Sequence, residues 1–115
     1  MIKYINLTLF KNNRREQEHK NIKAVYNNES YSFLTDKVKT KLNDKSFTRE
    51  NEEFLFDMDL INQTASYLLK EKKSTFNIEV EYIKYEKNDN IITLEYKISS
   101  DDEIFKIILE ENKNE

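Results

Sequence analysis

Apolar and polar residues alternate along most of this chain, which is the pattern of strands with one buried and one solvated face. In residues 76–98, FNIEVEYIKYEKNDNIITLEYKI, two alternating runs flank a polar turn, and a third run follows the polar stretch at residues 99–102. The pattern predicts a C-terminal three-stranded antiparallel meander. Its apolar face is predicted to consist of Phe76, Ile78, Val80, Tyr82, Ile92, Leu94, Tyr96, Ile98, Phe105, Ile107 and Leu109.

The earlier part of the chain repeats this alternation in shorter runs separated by Asn-rich or polar pairs. These runs are centred on Leu7, Ala24, Phe33, Thr40, Phe56 and Tyr67. Turn residues recur every ~8–12 positions, which is typical of an antiparallel sandwich or barrel. The sequence therefore predicts an all-β protein, a single antiparallel barrel of about eight to ten strands that ends in the meander.

The chain contains no glycine and no proline, so its turns must be made by other residues. Asn and Asp tolerate left-handed backbone conformations best after glycine, and they are expected to replace it. For the hairpin near residue 89, two registers are open. A two-residue loop at Asn88-Asp89 requires a bulge near Tyr82, whereas a three-residue loop pairs Tyr82 with Tyr96 and leaves Ile83 and Tyr85 outside.

One segment, RREQEHK at residues 14–20, is rich in residues that favour helices. It has no apolar face of its own, so it is equally consistent with a charged strand end. The pattern leaves both alternatives open.

Composition limits the function classes. A chain of 115 residues forms one domain, here residues 1–115, with a tail from about residue 112 expected to be disordered. The net charge of −3 is spread along the chain, which argues against nucleic-acid binding. Cysteine is absent and His19 is the only histidine, so neither a metal site nor a catalytic triad is expected.

No stretch has the apolar length of a signal peptide or a membrane span, so membrane insertion is not expected. We expect a cytoplasmic protein without a cofactor.

Three segments carry a family resemblance: TREN-EFLFDMDL, SYLLKEKKSTFNIEVEYIKYE and NIITLEYKISSDDEIFKIILEE. Their order resembles the YwiB-like family, uncharacterised bacterial proteins with a calycin-like β-barrel, from about Val25 to Glu111. The family usually carries glycine where this chain has Asn51 and Lys73. The resemblance implies a closed or nearly closed barrel shaped like those of lipocalins, and it implies no established activity.

Arg49 is the residue whose placement bears most on function. It shares strand parity with Phe47, so it would face the interior if Phe47 does, and a buried guanidinium requires an anionic partner. The alternative is an arginine at a strand end that pairs with Glu50 or Glu52 at the surface, and we favour this alternative. The candidate ligand-binding residues are Arg49, Phe56, Tyr67, Tyr82 and Tyr96, although we favour a packed core for the aromatic ones.

Two functional classes follow. The first is a non-catalytic barrel that binds a small apolar, amphipathic or anionic ligand. The second is a protein-interaction or regulatory module that uses a sheet face or an edge strand, including an edge that pairs two copies into a homodimer. Because no catalytic constellation is visible, an enzyme is not expected.

Overall fold

The computed structural model describes residues 1–112, which form eleven strands and no helix. The strands are β1 (Ile2–Lys11), β2 (Arg14–Asn27), β3 (Ser30–Thr35), β4 (Val38–Leu42), β5 (Ser46–Glu50), β6 (Phe54–Asp59), β7 (Thr64–Leu69), β8 (Ser74–Ile78), β9 (Val80–Asn88), β10 (Ile91–Ile98) and β11 (Glu103–Glu111).

All eleven strands belong to one antiparallel sheet in the order β8-β7-β6-β5-β4-β3-β2-β1-β11-β10-β9. Every ladder joins strands that are consecutive in the chain, except the one between β1 and β11. The two edge strands, β8 and β9, are separated only by Glu79, so one bent segment supplies both edges of a nearly closed barrel. The predicted all-β barrel is confirmed, with eleven strands in place of eight to ten.

The larger number of strands has two causes: β5 is absent from the predicted runs, and the run from Phe76 to Tyr82, predicted as one strand of the meander, is divided at Glu79 into β8 and β9, which form opposite edges of the sheet. Residues 14–20 form the first half of β2 and pair with β1, so the strand alternative for this segment is confirmed. β5 has only five residues, which are too few to show a clear alternation.

Left-handed backbone conformations make the turns, as predicted. Eleven described residues have positive φ, and seven of them are Asn or Asp: Asn12, Asn13, Asn21, Asn28, Asp36, Asp89 and Asp102. Two consecutive positive-φ residues at positions 12–13, 28–29 and 36–37 form the two-residue hairpin loops whose twist matches the flanking strands. We call the barrel end with the β1–β2 turn the upper end and the end with the β2–β3 turn the lower end.

Asparagine side chains make other turns by capping backbone N–H groups. The Asn51 Oδ1 accepts hydrogen bonds from the backbone N–H groups of Glu53 and Phe54, at 2.8 and 3.0 Å. Lys73 has a φ of 51°. At the two positions where the YwiB-like pattern has glycine, this chain therefore uses a side-chain cap and a left-handed lysine.

Neither register expected for the β9–β10 hairpin is correct. The loop consists of Asp89 and Asn90, and Ile83 pairs with Tyr96. A bulge at Glu81 then shifts the pairing so that Val80 opposes Ile98. Tyr82, predicted to face the interior, lies on the outer surface, because the bulged residue reverses which side chains of β9 point inward.

The core fills the lower and middle parts of the barrel. Sixteen buried apolar residues form one cluster, among them the predicted core residues Leu94, Tyr96, Ile107 and Leu109. The predicted core residues Phe56, Ile78 and Val80 are partly buried and pack against this cluster. Packed side chains therefore occupy most of the interior.

A polar contact at the lower end ties β11 to β1 and β3. The Tyr31 hydroxyl donates a hydrogen bond to Glu111 Oε2, and Lys3 Nζ lies 3.1 Å from the same carboxylate. Burial alone would raise the pKa of Glu111, but the hydrogen bonds from Tyr31 and Lys3 outweigh it and hold this pKa below its usual value. Glu111 is therefore ionised at neutral pH and joins the last strand to the first.

The chain end beyond this contact is held as far as Asn112, whose side-chain amide hydrogen-bonds to that of Asn6 at 2.9 Å. Most of the predicted disordered tail lies outside the described residues. Within residues 1–112, no helix has the length and apolar character needed to cross a membrane.

The core assignment predicts that Leu94→Ala lowers the free energy of unfolding by about 2–5 kcal/mol, because Leu94 is 0% exposed and its loss leaves a cavity. Urea unfolding of wild type and variant measures the change. The control is Leu34→Ala on β3, where the side chain is 63% exposed and the change should stay within about 0.5 kcal/mol. A larger effect at Leu34 than at Leu94 would contradict the assignment of faces.

The lower contact predicts a pH-dependent role for Glu111. Because folding lowers its pKa, its stabilisation is present at neutral pH and is lost as the pH falls below 4.5. Glu111→Gln should therefore cost about 1–2 kcal/mol at pH 7 and much less at pH 3, as measured by urea unfolding at both values. Glu110→Gln, at the exposed neighbouring position, is the matched control and should cost little at either pH. Equal costs of Glu111→Gln at both pH values would exclude an ionised contact.

Candidate functional site

Arg49 lies on the inner face of β5, near the upper end of the barrel. In the ladders it opposes Thr40 of β4 on one side and Phe56 of β6 on the other. Directly opposed residues of an antiparallel pair share one face of the sheet, and the buried Phe47 and Thr40 establish that this face points inward. Arg49 thus occupies a position that an apolar residue would fill in an ordinary barrel core.

Arg49 borders a partly enclosed cavity of about 150 Å³ at the upper end. Its apolar walls come from strands on opposite sides of the barrel: β5 supplies Phe47, while β1, β10 and β11 supply the rest. The apolar and aromatic wall residues are Leu9, Phe47, Tyr96, Phe105 and Ile107. The rings of Tyr96 and Phe105 are stacked with their centroids 5.2 Å apart, so one wall presents a continuous aromatic surface.

The Arg49 guanidinium forms no ion pair with any carboxylate among residues 1–112. The surface pairing that we favoured from the sequence is wrong, because Glu50 pairs with Lys70 at 2.6 Å and Glu52 is exposed on the following turn. Burial lowers the pKa of Arg49, and Tyr96 acts against this shift. The inner face of the barrel thus carries a cation without an anionic partner.

The other charged residues at the cavity have interactions of their own or carry the opposite charge. Lys11 forms an ion pair with Glu103 at 2.7 Å, and the Lys106 ammonium lies 5.2 Å from the centre of the Phe10 ring. Glu16 also borders the cavity and contributes a negative charge. Arg49 is therefore the cation most available to an anion inside the cavity.

Tyr96 places a phenol beside Arg49. Burial raises the pKa of Tyr96 to about 12, although the nearby Arg49 charge acts in the opposite direction. The side chain is 8% exposed, and no described residue forms a hydrogen bond with its hydroxyl. At neutral pH this hydroxyl is protonated and is a hydrogen-bond donor on the cavity wall.

Thr40 adds a second hydroxyl that lacks a partner. Its side chain is 3% exposed, and its Oγ1 has no hydrogen bond to any described residue. Most buried hydroxyls in proteins are paired, so such an atom calls for an explanation. It lies directly across the β4–β5 ladder from Arg49, which places two unsatisfied polar groups side by side on the inner face.

The structure separates the five residues chosen from the sequence. Arg49 and Tyr96 meet at the cavity, and Phe56 packs behind them with its ring centroid 6.2 Å from that of Tyr96. Tyr67 is stacked on Phe54 at 5.4 Å and does not line the cavity. Tyr82 donates a hydrogen bond to Glu95 on the outer surface, at 2.8 Å.

Several cavity residues were missed as site residues. Phe105 and Ile107 were predicted to face inward. The sequence feature that identifies them is the alternation of apolar and polar residues along β11, where they oppose inward residues of β10. Leu9, Lys11 and Glu16 belong to the β1–β2 hairpin, which lies far from Arg49 in sequence. No local pattern indicates that this hairpin covers the cavity.

The arrangement can bind an anion and an apolar body, and it presents no nucleophile paired with a base. Within the described residues, no group of three or more potential metal-ligating side chains is arranged to hold a metal ion. The cavity therefore offers recognition by charge, hydrogen bonds and aromatic surface.

Comparison of the chain with protein-family models, with curated proteins and with solved structures finds no match. The resemblance to the YwiB-like family consequently stays a prediction, and the arguments for function are confined to the residues of the cavity.

The unpaired guanidinium predicts that Arg49→Met raises the free energy of unfolding by about 1 kcal/mol. Methionine retains an apolar stem and removes a charge whose burial nothing in the described chain compensates. Thermal and urea unfolding measure the change, with Arg14→Met on the exposed part of β2 as the control for loss of one positive charge. Destabilisation by Arg49→Met with a neutral control would show that Arg49 has a stabilising partner.

Proposed function

We propose that this protein is a non-catalytic binding barrel that holds a small apolar or amphipathic ligand in the upper cavity. The observation that carries the proposal is the cavity itself, a space of about 150 Å³ walled by aromatic side chains and bordered by Arg49, which forms no ion pair with any described carboxylate. Ligand sites are typically concave and mostly apolar, with a few polar groups that orient the ligand.

The distribution of packing within the barrel supports this proposal. The lower and middle interior is filled by side chains with little or no exposure, including Ile5, Leu42 and Leu109. At the upper end, Leu9 and Phe105 are only partly buried, although they face the same interior. A protein that needed only a stable barrel would gain from filling this space with an apolar side chain at position 49.

We further propose that the barrel is calycin-like. The support is its meander topology, in which nearly every ladder joins consecutive strands, together with an interior that opens toward one end. Barrels of this kind carry ligands in their mouths, so the proposed architecture and the proposed function are consistent.

The alternative is an interaction module that acts through an edge strand. The observation in its favour is Phe76 on β8, which is 52% exposed on a strand that has a ladder partner on one side only among the described residues. An exposed edge is a template for pairing with another chain. β8 has only five residues, however, which limits the number of hydrogen bonds that an added strand could form.

The proposal predicts that filling the cavity abolishes ligand binding. Leu9→Trp should remove the binding of one-ring probes without unfolding the barrel, because Leu9 lies on the cavity wall and is only partly buried. Ligand-observed NMR with benzoate, phenylacetate, hexanoate and toluene measures binding, and circular dichroism verifies the fold. Leu34→Trp, at an exposed position of β3, is the matched control and should bind as the wild type does.

Two results would contradict the proposal: no binding of any of the four probes to wild type, or equal binding to wild type and Leu9→Trp. Native mass spectrometry of the purified protein compares the alternatives further. A monomer that retains a small molecule supports the binding barrel, whereas an empty dimer supports the interaction module.

A further inference from the structure

From the charges and the size of the cavity, we infer that its ligand is a one-ring aromatic monocarboxylate, with Arg49 and Tyr96 holding the carboxylate. This inference rests on the proposed binding function and adds the chemical class of the ligand. It depends on three features of the cavity: a cation that pairs with no described carboxylate, the Tyr96 hydroxyl, and a small aromatic enclosure.

Arg49 indicates that the head group of the ligand is a carboxylate. A guanidinium presents parallel N–H donors that match the two oxygens of a carboxylate, and such bidentate contacts are among the stronger hydrogen bonds in proteins. No carboxylate of the described chain takes this position. An external carboxylate would therefore supply the partner that a partly buried arginine requires.

The Tyr96 hydroxyl adds a hydrogen-bond donor for an oxygen-rich, anionic head group. The Tyr96 hydroxyl is protonated, borders the cavity and has no hydrogen-bond partner among residues 1–112. The Thr40 Oγ1 has no hydrogen bond to any described residue and opposes Arg49 across the ladder, where directly facing Cβ atoms lie about 4.5–5.5 Å apart, but Thr40 does not line the cavity. A carboxylate on the guanidinium has lone pairs enough to accept hydrogen bonds from hydroxyls as well.

The charge of the ligand is limited to about −1. Lys11 is already paired with Glu103, and the Glu16 carboxylate borders the same cavity. Lys106 also borders the cavity, so the positive charges of Lys11, Arg49 and Lys106 outnumber the negative charges of Glu16 and Glu103 by three to two, and the second charge of a dianion such as a phosphate monoester would have no further cation to balance it. The cavity therefore favours a monoanion over a dianion.

The aromatic walls of the cavity indicate that the apolar part of the ligand is a ring. Phe47, Tyr96 and Phe105 surround the cavity, and aromatic rings pack favourably in offset or edge-to-face arrangements. A space of about 150 Å³ accommodates a single six-membered ring, which is the size of guest that apolar cavities of this volume accept in other proteins. Most of the chain of a long fatty acid would lie outside this space.

The test compares benzoate with benzyl alcohol, its uncharged counterpart of similar shape, and with phenyl phosphate, a dianion. Titrations followed by protein NMR on wild type should show benzoate binding about 10- to 100-fold more tightly than benzyl alcohol, as expected for a charge-assisted contact. Phenyl phosphate should bind more weakly than benzoate. In Arg49→Met, benzoate should lose this advantage while benzyl alcohol binds within about twofold of wild type.

Two further variants separate the roles of charge and geometry. Arg49→Lys keeps the positive charge but lacks the parallel N–H donors of the guanidinium, so it should retain only part of the preference for benzoate. Tyr96→Phe should weaken benzoate about 5- to 10-fold and leave benzyl alcohol nearly unchanged, because only the anion gains a strong bond from the hydroxyl. Arg14→Met, which removes an arginine outside the cavity, should bind benzoate as wild type does.

The outcomes distinguish this inference from the function on which it rests. Equal affinities for benzoate and benzyl alcohol, or an unchanged benzoate preference in Arg49→Met, would overturn the carboxylate assignment and leave the binding cavity standing. Tighter binding of phenyl phosphate than of benzoate would overturn the monoanion assignment. If wild type binds none of the three probes and also fails the Leu9→Trp comparison, both the function and the ligand class are wrong.

Discussion

The pairing of the first strand with the last is the constraint on which the structure depends. Every other ladder forms between neighbours in the chain, so the sheet could curl without closing. Seven residue pairs join β1 to β11, and Asn12 and Asn112 extend this seam at its two ends through hydrogen bonds to Ile104 and Tyr4. Closure costs loop entropy but buries both sheet halves against each other. It also places Arg49 opposite β1, β10 and β11, so the cavity depends on this pairing.

The two ends of the barrel are built differently. At the lower end, Glu111, Tyr31 and Lys3 satisfy one another, and the neighbouring interior is filled. At the upper end, the buried Thr40 Oγ1 has no hydrogen bond to any described residue, and Arg49 forms no ion pair with a described carboxylate. Folded proteins keep such imperfections where function requires them, because a complete core would be more stable. This contrast directs the functional argument to the upper end.

The alternation of apolar and polar residues predicted the features of the fold that depend on local sequence. The inward faces of β10 and β11 follow directly from it, and Asn and Asp marked most of the turns that glycine would otherwise make. The face of Tyr82 could not be predicted, because the bulge at Glu81 has no glycine or other local marker. The interior environment of Arg49 could not be predicted either, because the residues that cover it come from the distant β1–β2 hairpin and from β11. Contacts between distant strands cannot be predicted from the pattern of a single strand.

The central claim is that Arg49 receives an anionic ligand in the upper cavity of the barrel, and NMR of the arginine side chains tests it most directly. In ¹⁵N-labelled protein, added benzoate should shift the Arg49 Nε–H resonance and leave those of Arg14 and Arg15 unchanged. Nuclear Overhauser effects should connect the benzoate ring protons to Phe47 and Phe105, which line the cavity. Shifts at Arg14 or Arg15 without one at Arg49, or ring contacts only to outer-surface residues, would contradict the account.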